Sequence, residues 1–256
     1  MTRHDTSPLP QPTAPPAPPA PSAPARMTGR QQLIMVLLLT AGFTLAVDFS
    51  ILNVALPRIG ADVGFSLEHL QWIATSFALC AAGFTLFFGR VADLFGRKRL
   101  FIAGMALLGI GSLLGGLATD PGLLLSARVA QGLATAAVTP AALSLLTTSF
   151  PEGPLRDKAL GLNGSLMAAG FTAGAILGGL LTDLLSWRWA FFINVPVGIV
   201  GFILAQRFVP SLTTHPHKFD IPGVLLSALG LFLLVFGIQE GETYDWGTIA
   251  GPITVW

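Results

Sequence analysis

The chain has 256 residues, of which 52% are hydrophobic and only 11% charged, with mean hydropathy +0.70 and a formal net charge of +1. A soluble domain carries about a quarter charged residues, so the composition excludes an ordinary soluble enzyme and points to a membrane protein. A near-neutral balance gives nucleic acid no basic surface to bind, and the single cysteine, Cys80, excludes an intramolecular disulfide or a thiol metal cluster.

The first segment runs to about residue 29 and holds a proline/alanine stretch, Pro10 to Pro21. Such a stretch cannot build a core and is expected to be a disordered, extended tail. No cleavable signal is expected, because no apolar core follows the charged start until Leu33. Seven apolar runs follow, at about 31–57, 70–89, 100–118, 122–148, 159–182, 189–208 and 221–239. Each is long enough to cross about 30 Å of hydrocarbon as a helix. An eighth begins near Gly247 and reaches only Trp256. The short connections suit antiparallel neighbours in a bundle.

Basic residues set the expected orientation. With the tail in the cytoplasm, Arg26, Arg30, Arg90, Arg97, Lys98, Arg99, Arg156, Lys158, Arg207 and Lys218 all fall inside, and only Arg58 and Arg188 fall outside. That asymmetry is the positive-inside pattern. Trp187 and Trp189 then fall at an outer boundary, where amphipathic rings are favoured.

Between the second and third runs lies Gly89-Arg90-Val91-Ala92-Asp93-Leu94-Phe95-Gly96-Arg97-Lys98-Arg99. A link this charged cannot enter lipid, so it is expected to form a tight hairpin at one membrane face. Gly89 and Gly96 would allow the turn, and Asp93 stands four residues before Arg97, the favoured order for an ion pair on one helical turn. A simple topology-setting loop would account for the charge as well.

Two ionisable groups lie inside apolar runs, Asp48 in the first and Arg128 in the fourth. A charge in hydrocarbon is costly, so each marks a candidate functional site. Thr40, Thr44 and Asp48 share one helical face, as do Arg128, Gly132, Thr135 and Thr139, with Gln131 alongside. Counting from the outer ends puts both charges in the outer half of the bilayer, at depths that would allow a shared cavity. Arg128 snorkelling to the interface and Asp48 as a neutral, bonded acid are the plainer alternatives. In the fifth run Gly170, Gly174 and Gly178 recur every fourth residue, with Gly164, Ala168, Ala175 and Gly179 beside them. Small residues at this spacing predict a close helix–helix seam.

Together these pieces resemble the major facilitator superfamily of transporters, and more narrowly its fourteen-helix drug:proton antiporter branch. Gly89 to Arg99 is similar to the loop signature of that family, and Arg128-Val129-Ala130-Gln131-Gly132 to its fourth-helix motif. Gly164, Gly170, Gly174, Gly178 and Gly179 resemble the fifth-helix antiporter motif, although Gly174-Ala175 stands where the family usually has Gly-Pro. Asp48 to Pro57 and Trp187 to Gly198 resemble signatures of the fourteen-helix branch.

The resemblance implies an all-α integral membrane protein: a six-helix N-terminal bundle over residues 30–210, then a link, a seventh helix and the start of an eighth over 211–256. It implies proton-coupled efflux of small amphipathic compounds such as drugs across the cell membrane. Asp48, Arg128 and Gln131 would serve proton coupling, and Gly89, Arg90, Asp93, Gly96, Arg97, Lys98 and Arg99 a cytoplasmic gate. The energy source would be the proton gradient, with no cofactor and no metal; the chain carries no Gly-x-x-x-x-Gly-Lys-[Ser/Thr] phosphate loop. Expected partners are membrane lipid, the exported compound and the second half of the transporter, with no nucleic acid. Transporters of this class hold substrate between two repeats, so one repeat alone is expected not to perform coupled transport. A non-transporting membrane protein, or a uniporter or symporter of similar fold, is the competing expectation.

Overall fold

Local capping chemistry starts the helices where the apolar runs begin. In a computed structural model, which describes residues 27–66, 69–210 and 221–241, Thr28 opens α1 (Gly29–Val63) with a capping box. Its hydroxyl accepts from the Gln31 amide, while the Gln31 side chain accepts from the Thr28 amide at 3.0 Å. Gly64, at φ 85°, closes α1 in the left-handed conformation that costs glycine least. The Asp120 carboxylate accepts from the Leu123 amide, and Pro121 fills the first turn of α4 (Pro121–Ser149). Pro154 does the same for α5 (Pro154–Leu184).

The remaining elements are α2 (Trp72–Phe95), α3 (Arg97–Gly116), the four-residue α6 (Trp189–Phe192), α7 (Asn194–Phe208) and α8 (Ile221–Gly241). Among the described residues six spans are long and apolar enough to cross a membrane, α6 and α7 together making the sixth over Trp189–Phe208. The expected seventh is α8, which lies on α2. The proline/alanine tail, the link at 211–220 and the run from Gly247 lie outside the described residues.

The helices pack as a bundle. α1 lies mainly on α5, α2 and α3 both lie on α4, and α7 lies on α3. Two apolar clusters form the core. One joins Leu37, Leu38, Leu45, Phe101, Met105, Leu108 and Leu145. The other joins Val47, Ile51, Ile59, Ile73, Ala118, Leu124, Trp187 and Phe191. On α1 the boundary between them falls between Leu45 and Val47, next to Asp48; on α4 it falls between Leu124 and Ala134, where Arg128 and Gln131 sit. The polar groups of the span therefore lie at the level where the two clusters meet.

One end of the bundle carries Arg30, whose guanidinium donates to the Phe208 carbonyl, and Lys98, whose ammonium donates to the Gln206 carbonyl. Both cations sit on the C-terminal carbonyls of α7, where the helix dipole favours them. At the opposite end Arg58 pairs with Asp183 at 2.6 Å and donates to the Thr182 carbonyl. Asp62 there accepts from the Trp187 indole at 2.9 Å and pairs with Arg188, which also donates to the Ala118 carbonyl.

The charged stretch makes a tight corner: helix continues to Phe95 and restarts at Arg97, with Gly96, at φ 96°, between them. Three finer expectations need correcting. Gly89 lies within α2, where a Cβ would only touch Pro140 at 4.0 Å, so it neither turns the chain nor forces a close approach. The Asp93–Arg97 pair, at 3.7 Å, consequently ties two helices across the corner rather than bracing one helical turn. Trp187 is not an interfacial ring, being 2% exposed against Phe191 because its indole N–H has Asp62 as a partner; Trp189 is the exposed one.

The glycine seam divides in the same way. A Cβ at Gly170, Gly174 or Gly178 would strike the α1 backbone at the Phe43, Val47 and Ile51 carbonyls. Gly164, by contrast, has nothing within 4 Å, and Gly179 meets only Val54 at 3.9 Å, so neither belongs to the seam. Overpacking such a contact costs about 1–3 kcal/mol or more. Gly174→Leu or Gly178→Leu should therefore lower the thermal unfolding midpoint of the detergent-solubilised bundle, while Gly164→Leu should leave it nearly unchanged. Equal midpoints for all three would disprove this division of the stripe.

Candidate functional site

Asp48 faces inward because its helix places it on the buried side of α1, between Val47 and Ser50, one residue from the exposed Phe49. It is 0% exposed, and Arg128, across from it on α4, is 1% exposed. Their closest approach is 3.4 Å, from Arg128 Nη1 to Asp48 Oδ2. Snorkelling of Arg128 is thereby ruled out: its guanidinium turns into the bundle, and its carbon lies 4.2 Å from the centre of the Phe77 ring. Arg128 Nε donates to the Ile73 carbonyl at 3.0 Å, and Nη1 also donates to Gln131 Oε1 at 2.9 Å.

Gln131 stands one turn beyond Arg128 and ties the site together. Its Nε2 donates to Asp48 Oδ1 and to Ser112 Oγ on α3, both at 2.9 Å. Asp48 Oδ1 accepts a second bond from Asn194 Nδ2 at the start of α7. The carboxylate thus holds three donors and faces one cation, which is what a buried charge requires. Five helices contribute, α1, α2, α3, α4 and α7. The ion pair is neutral as a whole, so a proton added to Asp48 would leave net positive charge in the core. Among the described residues no group of three or more His, Cys, Asp or Glu is placed to hold a metal ion.

A cleft of about 180 Å³ reaches Arg128 and is lined also by Phe49, Asn53, Thr75 and Phe77 among others. Phe49 meets Phe77 and Phe171 edge-on, at 5.9 and 5.4 Å between ring centres. Of the threonines read as polar faces, Thr44 is buried, Thr135 donates back to the Gln131 carbonyl, and Thr40 and Thr139 are exposed.

The candidate gating residues lie at the α2–α3 corner, remote from this network. Asp93, Gly96 and Arg97 make the corner, Lys98 caps α7, and Arg90 and Arg99 are exposed. Sequence reasoning missed Asn194 and Ser112. Asn194 carried a signal, as a lone amide inside the apolar stretch that follows Trp189; Ser112 carried none, being one hydroxyl in a glycine-rich helix.

A bundle of membrane-length helices around one buried charge pair defines a multi-pass α-helical membrane protein. Residues 38–239 match the Major Facilitator Superfamily, and the chain belongs to that family. It is 42% identical to the cephamycin export protein of Amycolatopsis lactamdurans, over 84% of this chain and 45% of that protein. It is 41% identical to the puromycin resistance protein of Streptomyces alboniger, over 83% of this chain and 42% of the relative. With the multidrug resistance protein Stp of Mycobacterium tuberculosis it shares 34% identity, over 89% and 43% respectively. The chain spans less than half the length of these relatives.

Breaking a buried pair by removing one partner costs about 3–5 kcal/mol, because the other charge stays uncompensated. Arg128→Ala should destabilise the bundle strongly, and the double variant Arg128→Ala/Asp48→Asn should recover part of the loss. Thermal unfolding in detergent reads both; no recovery in the double variant would mean the two charges are not coupled.

Proposed function

We propose that this chain forms the N-terminal bundle of a proton-coupled exporter of small amphipathic compounds in the cell membrane. The observation that carries the reading is the buried Asp48–Arg128 pair, a charge site that the bundle's stability alone does not call for, since apolar replacements of buried pairs are often at least as stable. Relatives named for cephamycin export, puromycin resistance and multidrug resistance support export as the direction and drug-like compounds as the cargo. Asp48 takes up and releases the proton, Arg128 balances its charge, and Gln131 keeps the two in register. The proton gradient supplies the energy, and no cofactor is needed. Alternating access needs a second bundle facing this one, as in the two-repeat architecture of such transporters. The exposed corner residues Arg90, Asp93 and Arg99 and their neighbours serve as the contact surface of a cytoplasmic gate.

The tail and the α2–α3 corner face the cytoplasm in this reading, in keeping with the lopsided distribution of Arg and Lys. In a Cys80→Ala background, a cysteine at Thr119 should react with an impermeant thiol reagent on intact cells, and one at Thr28 should not. The reverse pattern would overturn the orientation.

In the transporter that carries this bundle, Asp48→Asn should abolish proton-driven efflux while leaving insertion into the membrane intact. Efflux from proteoliposomes under an imposed proton gradient measures it. Wild-type efflux with an unchanged pH dependence would remove Asp48 from the mechanism.

A further inference from the structure

The two amides that hold Asp48 are not equivalent. Gln131 is fixed at both ends: its Oε1 accepts from Arg128, which can only donate, and its Nε2 serves Asp48 and Ser112. It cannot turn over. Among the hydrogen bonds of the described residues, the Asn194 side chain makes one, to Asp48 Oδ1.

The two carboxylate oxygens also differ. Oδ2 faces Arg128, which can only donate, so a proton added to Oδ2 would find no acceptor there. Oδ1 faces the fixed Gln131 and Asn194. When a hydronium ion from the aqueous phase delivers its proton, an O–H bond forms at Oδ1 and water is released. The new hydroxyl needs an acceptor. Asn194 supplies one by presenting its carbonyl in place of its NH2, or else the contact parts.

We propose that Asn194 is a positioning residue that reads the protonation of Asp48 and passes it to the junction of α6 and α7. Asn194 is the first residue of α7, separated from the four-residue α6 by Ile193 alone. Trp187 and Arg188, just before α6, grip Asp62 of α1 and the Ala118 carbonyl after α3. A change at Asn194 therefore acts on a short segment that is anchored at its other end.

Around Asp48, α4 presents the charged Arg128, while α2, α3 and α7 present the Phe77 ring, Ser112 and Asn194. Cys80 of α2 lies beside Gly132, and the charged residues of α5 lie towards its ends. Proton uptake within this part of the bundle thus centres on Asp48.

The inference rests on Asp48 being the proton-binding group, and the test separates the two. Residues 1–256 in lipid nanodiscs are titrated by infrared spectroscopy, following the C=O stretch of a protonated carboxyl, with Asp48→Asn to assign the band. Hydrogen–deuterium exchange of amides 189–198, corrected for intrinsic rates, is followed on both sides of the midpoint. The expected result is a band lost in Asp48→Asn, with its midpoint displaced by about half to one pH unit in Asn194→Leu. Protection of 189–198 should fall on protonation in the wild type and become pH-independent in Asn194→Leu. An unchanged midpoint in Asn194→Leu and in Asn194→Ala overturns the proposal while leaving Asp48 as the proton site. So does pH-independent protection in the wild type, which needs no variant to fold. A band absent from the wild type, or surviving in Asp48→Asn, sinks the proton-site reading itself.

Discussion

A carboxylate and a guanidinium enclosed at the centre of an apolar bundle constrain everything packed around them. Neither charge can remain there without partners, and neither can find enough partners on its own helix. Asp48 obtains them from α4 and α7, and Arg128 from α1, α2 and α4. The register of these helices is consequently linked: sliding one by a turn would break its bonds to the buried pair. The network lies where the two apolar clusters meet, so it occupies the level at which apolar packing alone would specify register least.

The other electrostatic contacts are of a different order. Arg58–Asp183 and Arg97–Asp93 are exposed pairs, and such pairs contribute about 0–1 kcal/mol. Their value is positional. The pairs at one end of the bundle join α1 to α5 and fasten the turn before α6; the cations at the opposite end cap α7. The tight α1–α5 seam adds rigidity of another kind, since Gly174 and Gly178 let backbone meet backbone without a side chain between them. Between this seam and α7 the chain makes only the short α6.

Members of this family work by rocking one bundle against another. At the centre of this bundle the buried carboxylate is held by a fixed amide, Gln131, and by the Asn194 amide at the start of α7. The cleft at Arg128, with Phe49, Phe77 and Asn53 on its walls, brings apolar and polar surface close to the buried pair.

The sequence by itself determined the membrane class, the spans and the two polar groups that matter. Uninterrupted apolar length and the scarcity of charge leave a chain no other way to satisfy its backbone in lipid. Equal counting from the outer ends even set Asp48 and Arg128 at one depth. Only the tertiary structure decided who completes the site. Asn194 and Ser112 lie 146 and 19 residues from the groups they bind, and no periodicity along a chain encodes which faces of different helices meet. It likewise decided that Gly170, Gly174 and Gly178 are seam while Gly164 and Gly179 are not, and that Trp187 is buried rather than interfacial. Helical spacing lists the residues on a face; the width of that face actually covered depends on the neighbour's crossing, which belongs to the packed bundle.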